Sequence, residues 1–511
     1  MGVRWPDALV GVAAGAVTTG VAEMTAAGFK RAGIGSGNGS PLVAVAGAFI
    51  DRTPPWLKDF AVAVFGTADK LALYVGMAVV ITAACALAGW LRPRAFVGLG
   101  LFALGGLLGV LAVSSRPGTS WPDLLPTALG TAVGLWLLVW LWQRSTTAED
   151  AVDPDTARTR RRAVLLWGTG LLAAGALGTL AGRTLSQVGE AVSTVRDRLA
   201  GLRVRQPVDV PAAASQNVAG QTTYITPNGE FYRIDTAVIV PRVDPDEWRL
   251  RVTGLVDREL TLSFDDLLGE ELVEALVTLT CVSNFIGGDL AGNAVWTGLP
   301  VREVLARAGV QHGADMVLST SVDGFTAGTP LTAMTDDRNA LLAVAMNGEP
   351  LPAEHGFPVR LVVPGLYGYV SATKWVTELK VTTFADDEGY WTPRGWSALG
   401  PVKTASRIDV PRNASVPAGQ VVLAGVAWAQ HRGISRVEVR IGDGNWLDTT
   451  LAAEPSIDAW RQWMYVWDAT PGSYDITVRA TDGDGEVQTE QPAPPAPDGA
   501  TGWNTVQVTV S

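Results

Sequence analysis

Cysteine is almost missing from this chain: 511 residues hold two, Cys85 and Cys281. Cys85 falls within a long apolar run and Cys281 stands alone in the polar part, so no disulfide framework can form. Histidine is scarcer still, with only His312, His355 and His431, none inside an apolar run. A membrane haem is thereby left without its usual ligands, and no His, Cys and carboxylate cluster has the spacing of a zinc site. Positive charge is in deficit too, and the formal net charge of -11 argues against a nucleic-acid partner. Charged residues make up 17 % of the chain and hydrophobic ones 48 %, which is unusually apolar for a soluble protein of two or more domains.

The apolar residues are concentrated before residue 185 or so, and the remainder has ordinary soluble composition. Five runs, at about 6 to 28, 69 to 91, 95 to 113, 123 to 142 and 163 to 182, reach the roughly 20 residues that a membrane helix needs. The stretch from Pro41 to Gly66 is broken by "DRTPPW", where Pro54 and Pro55 stop a continuous helix. Trp56, Phe60 and Val64 then read as one face of a short interfacial helix, a kinked span being the other reading. Arginines at 4, 92, 94, 144, 158 and 160 to 162 mark one set of ends as cytoplasmic. Five spans that start inside finish outside, so the soluble part is expected on the extracytoplasmic side. The segment "RTRRRAVLLWG" before the last span reads equally as a basic flank or as a signal resembling the twin-arginine export type. Glu23 is the one acid inside a span, expected near the interface or at a polar function.

Cys281 is the chemically pointed residue of the soluble part. The run "LVTL" before it reads as a buried strand, while Ser283, Asn284, Gly287 and Gly288 after it read as a loop. A thiol at a strand-to-loop exit is a candidate soft metal ligand or nucleophile, with a small buried hydrophobe as the plain structural reading. A nucleophile would need a base, and no Cys/His pairing at recognisable spacing supplies one.

Four stretches, in order, carry a resemblance over roughly residues 215 to 390: "FYRIDTAVIVPRVDPDEWRLRVTGLVDRELTLSFDDLL", "TLTCVSN", "GNAVWTGLPVREVL" and "MNGEPLPAEHGFPVRLVVPGLYGYVSATKWVTELKV". They resemble the molybdopterin-binding domain of the sulfite oxidase family, "HGFPVRLVVPG" followed by "KW" being the most specific part. The resemblance implies the molybdenum-molybdopterin cofactor, with Cys281 as thiolate ligand and Asn284 beside it in the loop. It implies that His355, Arg360 and Lys374 hold the pterin and its phosphate, and that Arg233 is a basic cofactor or anion contact. Each has a plain alternative: Arg360 as a paired strand residue, His355 as a turn residue, Lys374 as a solvated strand end. Local pattern accounts for the rest, Ser263 with Asp266 capping "SFDDLL" and Gly309 ending the helix of "LPVREVLARAG".

The departures bear on substrate. Where sulfite oxidases proper carry two arginines after the ligand cysteine, this chain has Phe285 and Ile286 after Asn284. Phe325 stands near the position of a family tyrosine, and "RID" replaces "RNH", with Asp235 near the histidine position. A less basic pocket implies a sulfoxide, an N-oxide or an oxidised methionine rather than sulfite. Oxidation of sulfite or another sulfur compound, and a non-catalytic membrane-tethered binding module, remain the alternatives.

From about residue 393 the pattern alternates as half-buried strands: "SRVEVRI", "YDITVRATD", a "GDGN" turn and "NTVQVTV". This resembles the family's dimerisation domain. Trp428, Trp460, Trp463 and Trp467 are expected in core or inter-domain packing. The expected architecture is an all-α membrane anchor of about five helices over 1–185, a linker over 186–214, an α+β molybdopterin domain over 215–392, and an all-β immunoglobulin-like sandwich over 393–511. The expected partners are a small or protein-bound oxidised substrate, a separate electron carrier, the membrane, and a second copy through the last domain.

Overall fold

Long uncharged runs satisfy their own backbone groups only as helices, and the first part of the chain is built from them. The computed structural model describes residues 5–32, 34–35, 39–54, 69–116, 119–149, 166–180, 204–237, 240–412 and 414–511. It divides into two units, 1–189 with 237–239, and 190–236 with 240–511. The first unit contains α1 (Trp5–Arg31), α2 (Pro41–Arg52), α3 (Asp69–Trp90), α4 (Ala95–Ser114), α5 (Leu125–Glu149) and α6 (Leu166–Leu180). Four stretches, Pro6–Arg31, Ala72–Trp90, Arg92–Ser114 and Trp121–Ser145, are helices long and apolar enough to cross a membrane, and the described part of the fifth expected span is the shorter apolar helix α6. Helix α1 packs on α3 and α5. Gly11 and Gly89 let the first of these pairs touch, since a Cβ on either would overlap the other helix's backbone.

Glu23 makes polar contacts within the helical unit. It is buried, eight residues short of the end of α1, and accepts the Ser40 hydroxyl at 2.8 Å and the Leu42 amide at 3.3 Å. Ser40 is in turn the N-cap of α2, with Pro41 in its first turn, and α2 stops at Thr53 before Pro54. The carboxylate therefore serves the start of a neighbouring helix, where negative charge is stabilising. Trp56, Phe60 and Val64 lie outside the described residues.

The second unit begins with β1 (Val204–Gln206), β2 (Arg249–Gly254), β3 (Leu260–Ser263), β4 (Leu272–Thr280), β5 (Ala291–Pro300), β6 (Met316–Ser321) and β7 (Thr326–Pro330). It continues with β8 (Leu341–Met346), β9 (Glu349–Pro350), β10 (Arg360–Val362) and β11 (Val376–Thr382). One sheet runs β1-β4-β5-β8-β10, with β9 on β8, and the other runs β3-β2-β11-β6-β7. Strands β4, β5 and β8 are buried nearly throughout, and one core joins both sheets to the helix Val301–Ala308. That helix ends at Gly309 in the left-handed conformation (φ 73°), and Ser263 with Asp266 forms a capping box, both as the sequence predicts. The stretch expected as a linker contributes β1, which pairs in parallel with β4 at Leu272 and Val273.

The last part has β12 (Ala405–Val410), β13 (Ala414–Val416), β14 (Gly419–Trp428), β15 (Ile434–Ile441), β16 (Leu447–Asp448), β17 (Thr450–Leu451), β18 (Arg461–Ala469), β19 (Gly472–Asp482) and β20 (Asn504–Val510). They form two sheets, β12-β14-β18-β17 and β13-β20-β19-β15-β16, whose inner faces share one core. Trp463 and Trp467 belong to that core, while Trp428 and Trp460 pack with Tyr224, Leu276, Val282 and Tyr367 of the preceding domain. Asp482 is fully buried and accepts the Thr404 hydroxyl, the Glu486 amide and the Arg432 guanidinium, the last two at 2.9 and 3.0 Å. Burial pushes its carboxyl up, but these donors outweigh it and hold it below the ordinary value. A depressed carboxyl stabilises above the unfolded value, about 3.9, and loses its contribution as pH falls through the lower folded value. Asp482→Asn is expected to lower stability at pH 7 by about 1–3 kcal/mol and to flatten the acid limb of a pH series of urea unfolding curves.

Candidate functional site

Strand β4 carries no charge from Ala275 onward and ends at Thr280, so its buried run delivers Cys281 to the first position of a loop. The loop closes on itself. The Cys281 amide donates to the Leu290 carbonyl at 2.9 Å, the Asn284 amide to the Cys281 carbonyl at 3.0 Å, and the Leu290 amide to Asn284 Oδ1 at 2.9 Å. Asn284 thus spends its carboxamide oxygen and its backbone N–H on the loop, leaving Nδ2 for anything bound there. Cys281 is buried, and burial pushes its thiol up, with donors from Ser283 and the charge of Lys374 pulling the other way.

His355, Arg360 and Lys374 come from one continuous segment and end close together. A 3-10 turn, Ala353–His355, stops at Gly356 (φ 112°), after which the chain enters β10 at Arg360. Gly356 is required there, because a side chain would press on Arg360 and Lys374 besides needing a left-handed backbone. Arg360 is buried, stacks over Trp296 at 4.9 Å, and donates to the carbonyls of Leu361, His355 and Ala372 at 3.3, 3.0 and 3.4 Å. Among the described residues no carboxylate pairs with it. Burial draws its guanidinium down to about 10, the mark of a charge without a counter-ion.

His355 is buried, with Nε2 3.0 Å from the Asn228 carbonyl and Nδ1 without a hydrogen-bond partner. Burial, with the charges of Arg360 and Lys374, takes it down to about 4, so the imidazole is neutral at physiological pH. Lys374 is also buried, unlike a solvated strand end, and donates to Asp235 Oδ2 at 3.0 Å and the Glu354 carbonyl at 2.9 Å. Burial lowers it to about 8 despite Asp235. Arg233 reaches the same Asp235 oxygen at 3.0 Å with its side chain 39 % exposed, so it lies at the rim rather than inside.

Two residues not singled out from the sequence belong to this place. The Tyr232 hydroxyl lies close enough to Cys281 and Arg360 to feel their charges, has no hydrogen-bond partner among the described residues, and is held protonated by burial. Phe325, expected near a tyrosine position, packs on Tyr390 with ring centres 5.8 Å apart. Asp323 accepts the Thr236 hydroxyl at 3.0 Å and the Phe325 amide at 3.3 Å, tying the Asp235 segment to the β6–β7 turn. The sequence holds a weak signal for Tyr232, which directly precedes Arg233, and none for Asp323, whose partners lie in two different segments.

A solitary thiol, a buried guanidinium lacking an anion, and a neutral imidazole with a free ring nitrogen suit a large anionic cofactor that brings its own metal ligands. Among the described residues no group of three or more His, Cys, Asp and Glu could cage a metal ion, so most of the ligands have to come with the cofactor. Phosphate recognition needs several fixed donors, and Arg360 is positioned as one. This donor set marks an oxidoreductase of the metal-cofactor class.

Comparison with known proteins agrees. Residues 237–391 match the oxidoreductase molybdopterin-binding domain. The chain is 36 % identical over 157 residues to the oxidoreductase YuiH of Bacillus subtilis (strain 168), covering 76 % of that protein and 31 % of this one. It is 31 % identical to mitochondrial sulfite oxidase of Homo sapiens over 321 residues, 53 % of this chain and 58 % of that one. It is 34 % identical to nitrate reductase [NADH] 1 of Oryza sativa subsp. japonica, over 33 % of this chain and 21 % of that one. The match therefore spans little more than half of the human enzyme. The chain belongs to the sulfite oxidase family of molybdopterin-dependent oxidoreductases, which are enzymes, and its cofactor is molybdenum-molybdopterin.

The Asp235–Lys374 pair is nearly enclosed, at 4 % and 10 % side-chain exposure. Asp235→Asn is expected to destabilise the protein by about 3 kcal/mol in chemical denaturation, because it strands a buried ammonium. Adding Lys374→Met should recover most of that loss, so the two changes will not be additive.

Proposed function

We propose that the chain is a membrane-anchored, extracytoplasmic oxidoreductase that transfers an oxygen atom in a two-electron step, with Cys281 as the protein's ligand to molybdenum. The observation that carries the cofactor assignment to particular residues is Arg360, a buried charge with no carboxylate partner among the described residues, in electrostatic reach of Tyr232 and through it of the Cys281 site. Arg360 and Lys374 would bind the phosphate side of the pterin, His355 Nδ1 would hydrogen-bond the ring system, and Asn284 Nδ2 would reach it from the thiolate loop. Arg233 would close the rim. When bound, the cofactor supplies the metal that exchanges the oxygen atom and two electrons.

The chain's own residues do the rest. Burial raises the free Cys281 thiol, so the thiolate would form as the metal displaces its proton, in a place already closed to water. Tyr232, protonated at every physiological pH, donates a hydrogen bond to the substrate oxygen without releasing the proton. Neutral His355 adds no charge to the pocket, which leaves Arg360 to balance the phosphate.

The substrate we propose is neutral: a sulfoxide, an N-oxide or an oxidised methionine. Phe285, four residues after Cys281, is 67 % exposed, and Ile234, beside Arg233, is 51 % exposed. Exposed apolar side chains next in sequence to Asn284 and to Arg233, with Lys374 and Arg233 both already paired to Asp235, favour an uncharged group over a sulfite dianion. For a sulfoxide the balance is one sulfoxide, two electrons and two protons giving one thioether and one water, with the electrons delivered one at a time by a separate carrier. The four long apolar helices support the anchor, and the arginine bias supports the topology. One of those arginines, Arg92, is paired with Asp7 at 2.8 Å, which fixes α1 to the end of α3. The two-sheet C-terminal part supports an immunoglobulin-like dimerisation domain.

Purified full-length protein should contain close to one molybdenum and one pterin per chain. Arg360→Met should lower both by about tenfold or more. Cys281→Ser should retain the pterin and lose turnover of dimethyl sulfoxide with a reduced viologen donor. Wild-type protein that carries molybdenum, ignores sulfoxides and N-oxides, and oxidises sulfite would refute the neutral-substrate reading.

A further inference from the structure

Strand β4 is paired with β5 on one side from Val273 to Thr280, but on the other side β1 reaches only Leu272 and Val273. From Leu276 to Thr280, the stretch that leads into Cys281, the free edge is closed by side chains and backbone of the C-terminal part. Ser456 donates its hydroxyl to the Leu276 carbonyl at 3.0 Å. The Thr278 amide donates to the Asp458 carbonyl at 2.9 Å, and the Trp460 amide donates to the Thr278 hydroxyl oxygen at 2.7 Å. Gln430 Nε2 donates to both the Thr278 carbonyl and the Thr280 hydroxyl oxygen, each at 2.9 Å.

The far side of the loop is held from the same part of the chain. Arg407 Nη1 donates to the Gly288 carbonyl at 2.7 Å while its other nitrogens are fixed by Asp409 at 2.7 Å and Thr222 at 2.8 Å. Arg412 donates to the Gly287 carbonyl. Gln430 and Arg407 are both buried, and the residue after Gln430, His431, holds a left-handed backbone (φ 68°) with its ring 3.4 Å from Asp458. Cys281 therefore sits between two anchors, neither supplied by its own domain.

We propose that Gln430 and Arg407 are positioning residues for Cys281, so that the C-terminal sheets are a working part of the redox centre as well as a surface for a second copy. This rests on the reading of Cys281 as metal ligand, though the bracing is testable without it. A strand edge lacking its partners opens locally before the whole domain unfolds, and the thiolate direction would drift with it.

The test compares Gln430→Ala, Arg407→Lys and a control, Val508→Ala, in the full chain, by amide hydrogen exchange of residues 276–290 and by the Mo(V) paramagnetic resonance spectrum of the holoenzyme. Val508 is fully buried in the sandwich core, so the control weakens that domain away from the brace. Gln430→Ala is expected to speed exchange in 276–290 by about tenfold or more and to shift the spectrum. Arg407→Lys, which keeps one donor for Gly288, should do so less, and Val508→Ala should do neither. Unchanged exchange in Gln430→Ala, or the same acceleration in Val508→Ala, would overturn the proposal. Accelerated exchange in Gln430→Ala, with no Mo(V) signal from the wild-type protein, would sink the ligand reading of Cys281 and leave the brace standing. Should Gln430→Ala not accumulate, Ser456→Ala, which removes only the bond to Leu276, carries the same test with the same two outcomes.

Discussion

An arginine enclosed in a protein without a carboxylate is an unfinished interaction, and the architecture of this site follows from Arg360 being one. Removing a guanidinium from water is expensive unless an anion shares the space. Here three carbonyls and the face of Trp296 hold the cation in place without neutralising it. The neighbouring groups are tuned to that charge. His355 is neutral, Lys374 is already paired with Asp235, and the Tyr232 hydroxyl keeps its proton. On the proposed reading, the phosphate of molybdopterin completes the balance, which would make a buried cation, costly on its own, the right residue in this position.

A second constraint concerns the strand that carries the thiol. Strand β4 is buried on both faces, so its residues can hardly be changed for positioning without emptying the core. Adjustment of the Cys281 loop falls instead to the strand's open edge and to the carbonyls of Gly287 and Gly288. Both are reached from the C-terminal sheets, by Gln430 and by Arg407 with Arg412. Trp460 adds apolar weight at the same junction, its indole N–H bonded to the Tyr224 carbonyl at 2.8 Å. The two β-rich domains thus form a single packed unit around the site.

The helical unit obeys a different logic. With few charges available, its specificity comes from small residues that let backbones approach and from a handful of polar groups enclosed among helices. Glu23 holds the start of α2, and Asp7 holds Arg92. Both acids act on helix ends, and this gives Glu23 a structural reason to be in an apolar segment.

Much of this was legible in the sequence, because it depends on neighbours along the chain. Helices over apolar runs, the strand ending at Cys281, the capping box at Ser263, Gly309 after its helix, and the alternating strands of the last domain all follow from local periodicity and turn chemistry. The segment from His355 to Lys374 was also readable, since its residues are close in sequence as well as in space. What only the tertiary structure decided is what residues far apart do to one another. Asp235 meets Lys374 across 139 positions and Gln430 meets Thr278 across 152. Glu23 accepts from Ser40 across 17 positions, and Tyr232 lies in electrostatic reach of Cys281. Burial and pairing are properties of the assembled interior, and in that low-dielectric setting a single contact decides whether the same lysine or arginine is a solvated end or a binding charge.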